Sequence, residues 1–121
     1  MVCWSDEDVR RTLELARRHG AAWIVVDGYR FREAFMRGVS RGARRTIALD
    51  DAASLSRYDV DMILNQNVGA SAGEYEGRTE ARLLLGTTCF LLRDVFLRWM
   101  EFDRPTPEVA RKLLVSLGAG V

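Results

Sequence analysis

Three short apolar runs, each closed by a polar, turn-forming cluster, constrain this chain more than any other feature. IVV runs into Asp27-Gly28-Tyr29, TIAL into Asp50-Asp51, and VDMIL into Asn65-Gln66-Asn67. The run over 23–26 is continuous rather than alternating, the pattern of a parallel strand covered on both faces. The spacing predicts strands over 23–26, 46–49, 60–64 and 82–85, the last closed by Gly86. Ser5 followed by Asp6, Glu7 and Asp8 predicts an N-cap and an acidic first turn. Arg17-Arg18-His19 and then Gly20 predict the end of that helix, so it spans about 6–18. A second helix is expected over about 30–38, with Phe31, Ala34 and Phe35 on one face and Gly38 and Gly42 bracketing its exit. Residues 52–58 read as a turn or short helix, and 69–79 as a polar loop carrying Tyr75. Helix and strand alternating at this spacing specify an α/β fold, a Rossmann-like parallel sheet with right-handed crossovers.

The length of 121 residues suits one domain. A net charge of +1 demands neither nucleic acid, an acidic polymer nor a membrane surface as partner. No apolar run approaches bilayer length, and with acids this near the start no secretory signal is expected. Cys3 and Cys89 have neither metal-ligand nor disulfide-framework spacing, so the cytoplasm is the expected compartment. Pro105 and Pro107 mark 104–108 as a linker or helix start. The apolar run over 113–117, with Gly118-Ala119-Gly120 after it, resembles the strand and glycine turn that open a new α/β unit. The expected division is therefore a partial Rossmann-like domain over 1–103, then a linker and first strand over 104–121, as in a truncated protein.

In open parallel sheets, ligands bind beyond the carboxyl ends of the strands. The three polar clusters should share that edge, where they could hydrogen-bond sugar hydroxyls or acetamido groups. The competing reading is that Asp and Asn stand there because they suit turns and caps. Within Asp50-Asp51, one acid is expected to cap the following segment while the other faces the cleft, and no metal site is expected. His19 reads as a helix C-cap. Cys89 reads as a small buried apolar residue. Arg93 is a candidate for phosphate or for an ion pair with an acid. The apolar stripe over 90–100 reads as core or as an interface. Phosphate-loop, complete GxGxxG and HExxH motifs are absent, as is a basic patch with interleaved aromatics.

Several pieces, in order, carry a resemblance: IVVDGY (24–29), ALDD (48–51), YDVDMILNQN (58–67), EYEG (74–77), LLLG (83–86), LLRDVF (91–96) and LLVSLGAG (113–120). The set resembles the UDP-sugar hydrolases of pseudaminic acid biosynthesis and the related spore-coat polysaccharide proteins. That family has two Rossmann-like halves of the GT-B type, with the substrate between them and UDP on the second half. The resemblance implies that this chain is a truncated first half. Its implied chemistry needs no metal or cofactor: water attacks the anomeric carbon, releasing UDP and a free diacetamido sugar. Tyr29 matches a tyrosine of the family's active site, with Asp27, Asp51, Asn65, Asn67 and Arg93 as substrate-binding residues. The family's histidine base would precede residue 1, and its UDP-binding half would follow residue 121, so the chain is expected to be inactive alone. Family members commonly carry histidine where Gly28 stands and tyrosine where Cys89 stands.

The expected function is thus part of a UDP-sugar hydrolase or GT-B-like glycosyltransferase in cell-surface polysaccharide or nonulosonic acid biosynthesis. A UDP-sugar would be its partner, with no nucleic acid or membrane. The alternative is a non-catalytic α/β binding module that dimerises through the 90–100 stripe or an exposed sheet edge.

Overall fold

The structure, a computed structural model, describes residues 5–115. The chain divides into two compact units, Met1–Leu91 and Leu92–Val121. That division falls before the 103/104 boundary suggested by the prolines.

The first unit is α/β. Its elements run α1 (Asp6–Arg18), β1 (Ile24–Asp27), α2 (Glu33–Gly42), β2 (Thr46–Leu49), β3 (Met62–Asn65) and β4 (Arg82–Leu85). Two 3-10 turns, Ala72–Tyr75 and Thr87–Cys89, flank β4. The strands form one parallel sheet in the order β1-β2-β3-β4, consistent with a Rossmann-like arrangement.

Local chemistry places α1 where the sequence predicts it. Ser5 Oγ accepts from the Asp8 amide, and Asp8 Oδ2 accepts from the Ser5 amide at 2.8 Å, a reciprocal capping box. His19 is the C-cap, and Gly20 follows at φ +61°, the left-handed conformation glycine adopts without strain. The second helix begins and ends later than expected. Residues 29–32 remain a strand-end loop, with Phe31 packed against Phe35 at a 4.8 Å centroid separation. The buried face of α2 is Phe35, Met36 and Val39, while Ala34 is exposed. Gly38 lies inside α2, and Gly42 is its last residue. They face α1, where a Cβ on Gly38 would stand 2.9 Å from a Val9 methyl and one on Gly42 would stand 2.5 Å from a Leu13 methyl. Both glycines therefore permit close helix approach, and Gly38 does not stop the helix.

The core lies on one face of the sheet. Val26, Ala48, Ile63 and Leu83 stand in register across the four strands. The first three are at most 3% exposed and cluster with Phe35, Met36 and Val39 of α2. Burying each larger aliphatic or aromatic side chain fully contributes about 1.5–3 kcal/mol. The expectation that the first strand is covered on both faces is not met among the described residues: Val25 is 57% exposed. β1 is an edge strand, and the core helix packs on the opposite face from Val25.

Parallel strands need long crossovers, usually helical. Only β1–β2 crosses through an α-helix, and residues 52–58, expected as a turn or short helix, form an irregular segment with bends. The β2–β3 and β3–β4 connections cover the same core with Tyr58 and Tyr75 instead, 2% and 1% exposed, their rings edge to face at 5.6 Å. Asp61 ties the starts of β2 and β3 together. Its Oδ2 accepts from the Thr46 amide at 2.7 Å and hydroxyl at 2.9 Å, and Oδ1 accepts from Arg45.

In the second unit, one helical turn, α3 (Asp94–Leu97), is followed by turns to residue 101. Residues 104–108 have no regular structure. The expected strand over 113–117 is not formed at 113–115; its last two residues, the 118–120 turn and Cys3 lie outside the described residues. The 90–100 stripe is not core. Phe90, Leu91, Leu92, Val95, Phe96, Leu97, Trp99 and Met100 are all 46% exposed or more. Among the described residues, no helix is long and apolar enough to cross a membrane.

Candidate functional site

Loops at the carboxyl ends of β1, β2 and β3 surround a cleft of about 240 Å³. Asp27, Tyr29, Asp51 and Asn67 line it together, with Asp50, Gln66 and apolar Phe31, Leu49, Leu55 and Leu64. Four of the six residues singled out in the sequence therefore meet in one place. Asn65 does not line the cleft: it is 2% exposed and hydrogen-bonded beneath it. Arg93 belongs to the second unit, its guanidinium 5.6 Å from the Phe96 ring centroid.

Tyr29 is 81% exposed, yet its hydroxyl donates to Asp51 Oδ2 at 2.6 Å. That hydrogen bond, with the Asp51 charge behind it, raises the phenol pKa. Asn67 Nδ2 donates to the Asp51 carbonyl at 2.8 Å. The β1, β2 and β3 loops are thus joined across the cleft through Asp51.

The paired acids divide their work as the sequence suggests. Asp50 caps the following turn, its Oδ2 accepting from the Ala53 amide at 3.1 Å, while Asp51 faces the cleft. Ala53 is held at φ +45°, a left-handed conformation costing a non-glycine residue about 1–2 kcal/mol. Its carbonyl accepts from Arg78 Nη1 at 2.8 Å, so the strained residue is gripped from both sides.

Sequence reasoning missed what lies under the cleft. Asp50 Oδ2 also accepts from the Tyr58 hydroxyl at 2.8 Å and the Tyr75 hydroxyl at 2.9 Å. The Leu55 amide donates to the Tyr58 oxygen, and Asn65 Nδ2 donates to the Tyr75 oxygen at 2.9 Å. Burial pushes the Tyr58 pKa up to about 12; the Leu55 amide opposes this and Asp50 adds to it. Tyr75 is raised as well, by burial and then by Asp50, against the Asn65 donor. One sequence signal was available: large aromatic rings in two polar connections must be buried somewhere.

Asp27, Asp50 and Asp51 line the cleft and no Lys, Arg or His does. The arrangement therefore offers acceptors to hydroxyl and amide N–H donors, and no cation to a phosphate. Among the described residues, no three His, Cys, Asp or Glu side chains are grouped to hold a metal ion. Cys89 is half-buried, not buried, and outside the cleft.

No protein-family model matches the chain, and no curated protein matches it.

Proposed function

We propose that this chain supplies the sugar-binding wall of a sugar-nucleotide enzyme, a metal-independent UDP-sugar hydrolase or a GT-B-like glycosyltransferase of cell-surface polysaccharide or nonulosonic acid biosynthesis. One observation carries the reading: Asp27, Tyr29, Asp51 and Asn67, from three separate strand ends, line a single cation-free cleft. Sugar hydroxyls and acetamido N–H groups are donors, and this lining is rich in acceptors. A diphosphate finds no cation here, in keeping with a nucleotide held elsewhere. The apolar residues Leu49, Leu55 and Leu64 suit the carbon faces and methyl groups of a deoxy or acetylated sugar.

Within this reading, Tyr29 touches the sugar. Asp51 holds the phenol proton, which leaves the Tyr29 oxygen free to accept from a sugar donor. Hydrolysis would form a bond from water oxygen to the anomeric carbon, the water's surplus proton passing to solvent, and break the bond from that carbon to the UDP oxygen. UDP leaves with the electron pair.

Saturation-transfer NMR with a UDP-N-acetylhexosamine tests the proposal. Sugar-ring and acetyl protons should be saturated more strongly than uracil protons. Tyr29→Phe and Asp51→Asn should each weaken the sugar signal, by about fivefold to tenfold for one lost hydrogen bond of ordinary strength. Stronger saturation of uracil, or tight binding of UDP alone, would overturn it.

A second reading, a non-catalytic module that self-associates, is favoured by the exposed 90–100 stripe. Light scattering separates the two, because a stable dimer that binds no sugar nucleotide supports only the second.

A further inference from the structure

We infer that Tyr75 and Asn65 are positioning residues for the cleft. They belong to a one-way hydrogen-bond relay that starts at the Asp50 carboxylate and sets the orientation of Asn67 and Asp51; the inference rests on the sugar-binding reading of that cleft.

The polarity of the relay follows from donor and acceptor chemistry. A carboxylate only accepts, so the one Tyr75 proton is committed to Asp50 Oδ2 at 2.9 Å. The Tyr75 oxygen is then left to accept, and it accepts from Asn65 Nδ2 at 2.9 Å. That contact turns Asn65 Oδ1 the other way, onto the Asn67 amide at 3.1 Å. A flipped Asn65 amide would set donor against donor at Asn67 and acceptor against a committed hydroxyl at Tyr75. Asn67, fixed at its backbone, directs Nδ2 to the Asp51 carbonyl at 2.8 Å. Asp51 in turn holds the Tyr29 hydroxyl. Among the described residues, nothing donates to Asn67 Oδ1, which stays available to a ligand donor.

Asn65 and Tyr75 are 2% and 1% exposed. In such surroundings each bond polarises the next, and a severed link leaves a costly unsatisfied group. The relay begins and ends on residues that line the cleft, yet its two middle members do not touch it. Tyr58 supplies an internal control. It donates to the same Asp50 oxygen from equal burial, but its own oxygen serves Leu55, off the path to Asn67.

Amide hydrogen exchange followed by NMR tests the relay without a ligand. Tyr75→Phe should speed exchange at Asn67 by about tenfold, as loss of one buried hydrogen bond predicts. Tyr58→Phe should speed exchange at Leu55 and leave Asn67 unchanged. Asn65→Leu, which keeps the branched shape and removes both amide ends, should reproduce the Asn67 effect if Tyr75→Phe folds poorly. Equal effects of the two tyrosine variants at Asn67, or none from Tyr75→Phe, would overturn the relay. In the ligand arm, Tyr75→Phe should weaken the UDP-N-acetylhexosamine sugar contact by about tenfold, a cost in the range expected of a misplaced binding group. Released Asn67 with unchanged sugar binding would overturn the positioning role. If the unaltered chain shows no sugar contact, the sugar reading and the positioning role fall together, while the exchange asymmetry still decides whether the relay exists.

Discussion

Asp50 is the residue on which most of the site's geometry converges, and its tyrosine partners make that convergence sensitive to pH. The Tyr58 phenol is raised to about 12 in the fold, against 10.0 ordinarily. Above pH 10 the unfolded chain releases a proton that the folded chain keeps, so the folded state binds more protons and stability falls as pH rises. The contribution is complete below pH 10 and is lost as pH rises toward about 12. Denaturant midpoints measured across that window should fall, and Tyr58→Phe should make the fall shallower; a flat profile would contradict the buried hydroxyl. At this scale the sequence is informative where partners are neighbours. Ser5, His19 and Gly20 sit where capping rules put them, because each acts within one turn. Tyr58 and Tyr75 were not legible as a pair, because their shared acceptor becomes their neighbour only after the sheet forms.

At the scale of elements, the α1–α2 contact shows why glycine misleads. A glycine after an apolar helical pattern ordinarily marks its end. Gly38 and Gly42 instead lie on the side of α2 that meets α1, where Val9 and Leu13 occupy the space of a Cβ. Gly38→Ala gains about 1 kcal/mol of helix propensity but overpacks against a stiff β-branched neighbour at a cost of about 1–3 kcal/mol. The net expectation is a loss of about 1 kcal/mol, a fall of about 4–8 °C in the melting temperature. Val9→Ala in the same chain should restore part of that loss, since the two sites are in contact. Calorimetric melts of the single and double variants check this. Strands β2 and β4 and helix α1 match their sequence-based bounds. The start of α2 does not, because Phe31 packs on Phe35 from a loop, not a helix.

For the molecule as a whole, the exposed apolar residues set its behaviour in solution. Trp99, Met100 and Phe102 are 60–72% exposed, and Leu113 and Leu114 about 90%. Large exposed apolar patches mark interaction surfaces or aggregation sites, and β1 and β4 add unpaired strand edges. We expect concentration-dependent self-association, measured by light scattering. Trp99→Glu with Leu114→Glu should raise the concentration at which it begins by at least about tenfold, given about 1.5–3 kcal/mol per large apolar side chain kept from water. A monodisperse monomer at high concentration would refute this. The 90–100 stripe reads from sequence as core or interface, and only the described fold removes the first of these.

Periodicity and turn chemistry by themselves determine that this is an α/β chain with parallel strands ending in polar clusters. They also bring Asp27, Tyr29, Asp51 and Asn67 to one edge, because side-chain pattern, strand direction and capping are local properties. Tertiary structure alone decides that Asn65 lies beneath that edge and not on it. It also decides that Val25 is exposed among the described residues, and that Asp50, Tyr58 and Tyr75 lock the cleft from below. Those outcomes depend on which distant groups become neighbours, and a buried hydrogen bond is assigned only when its partner arrives.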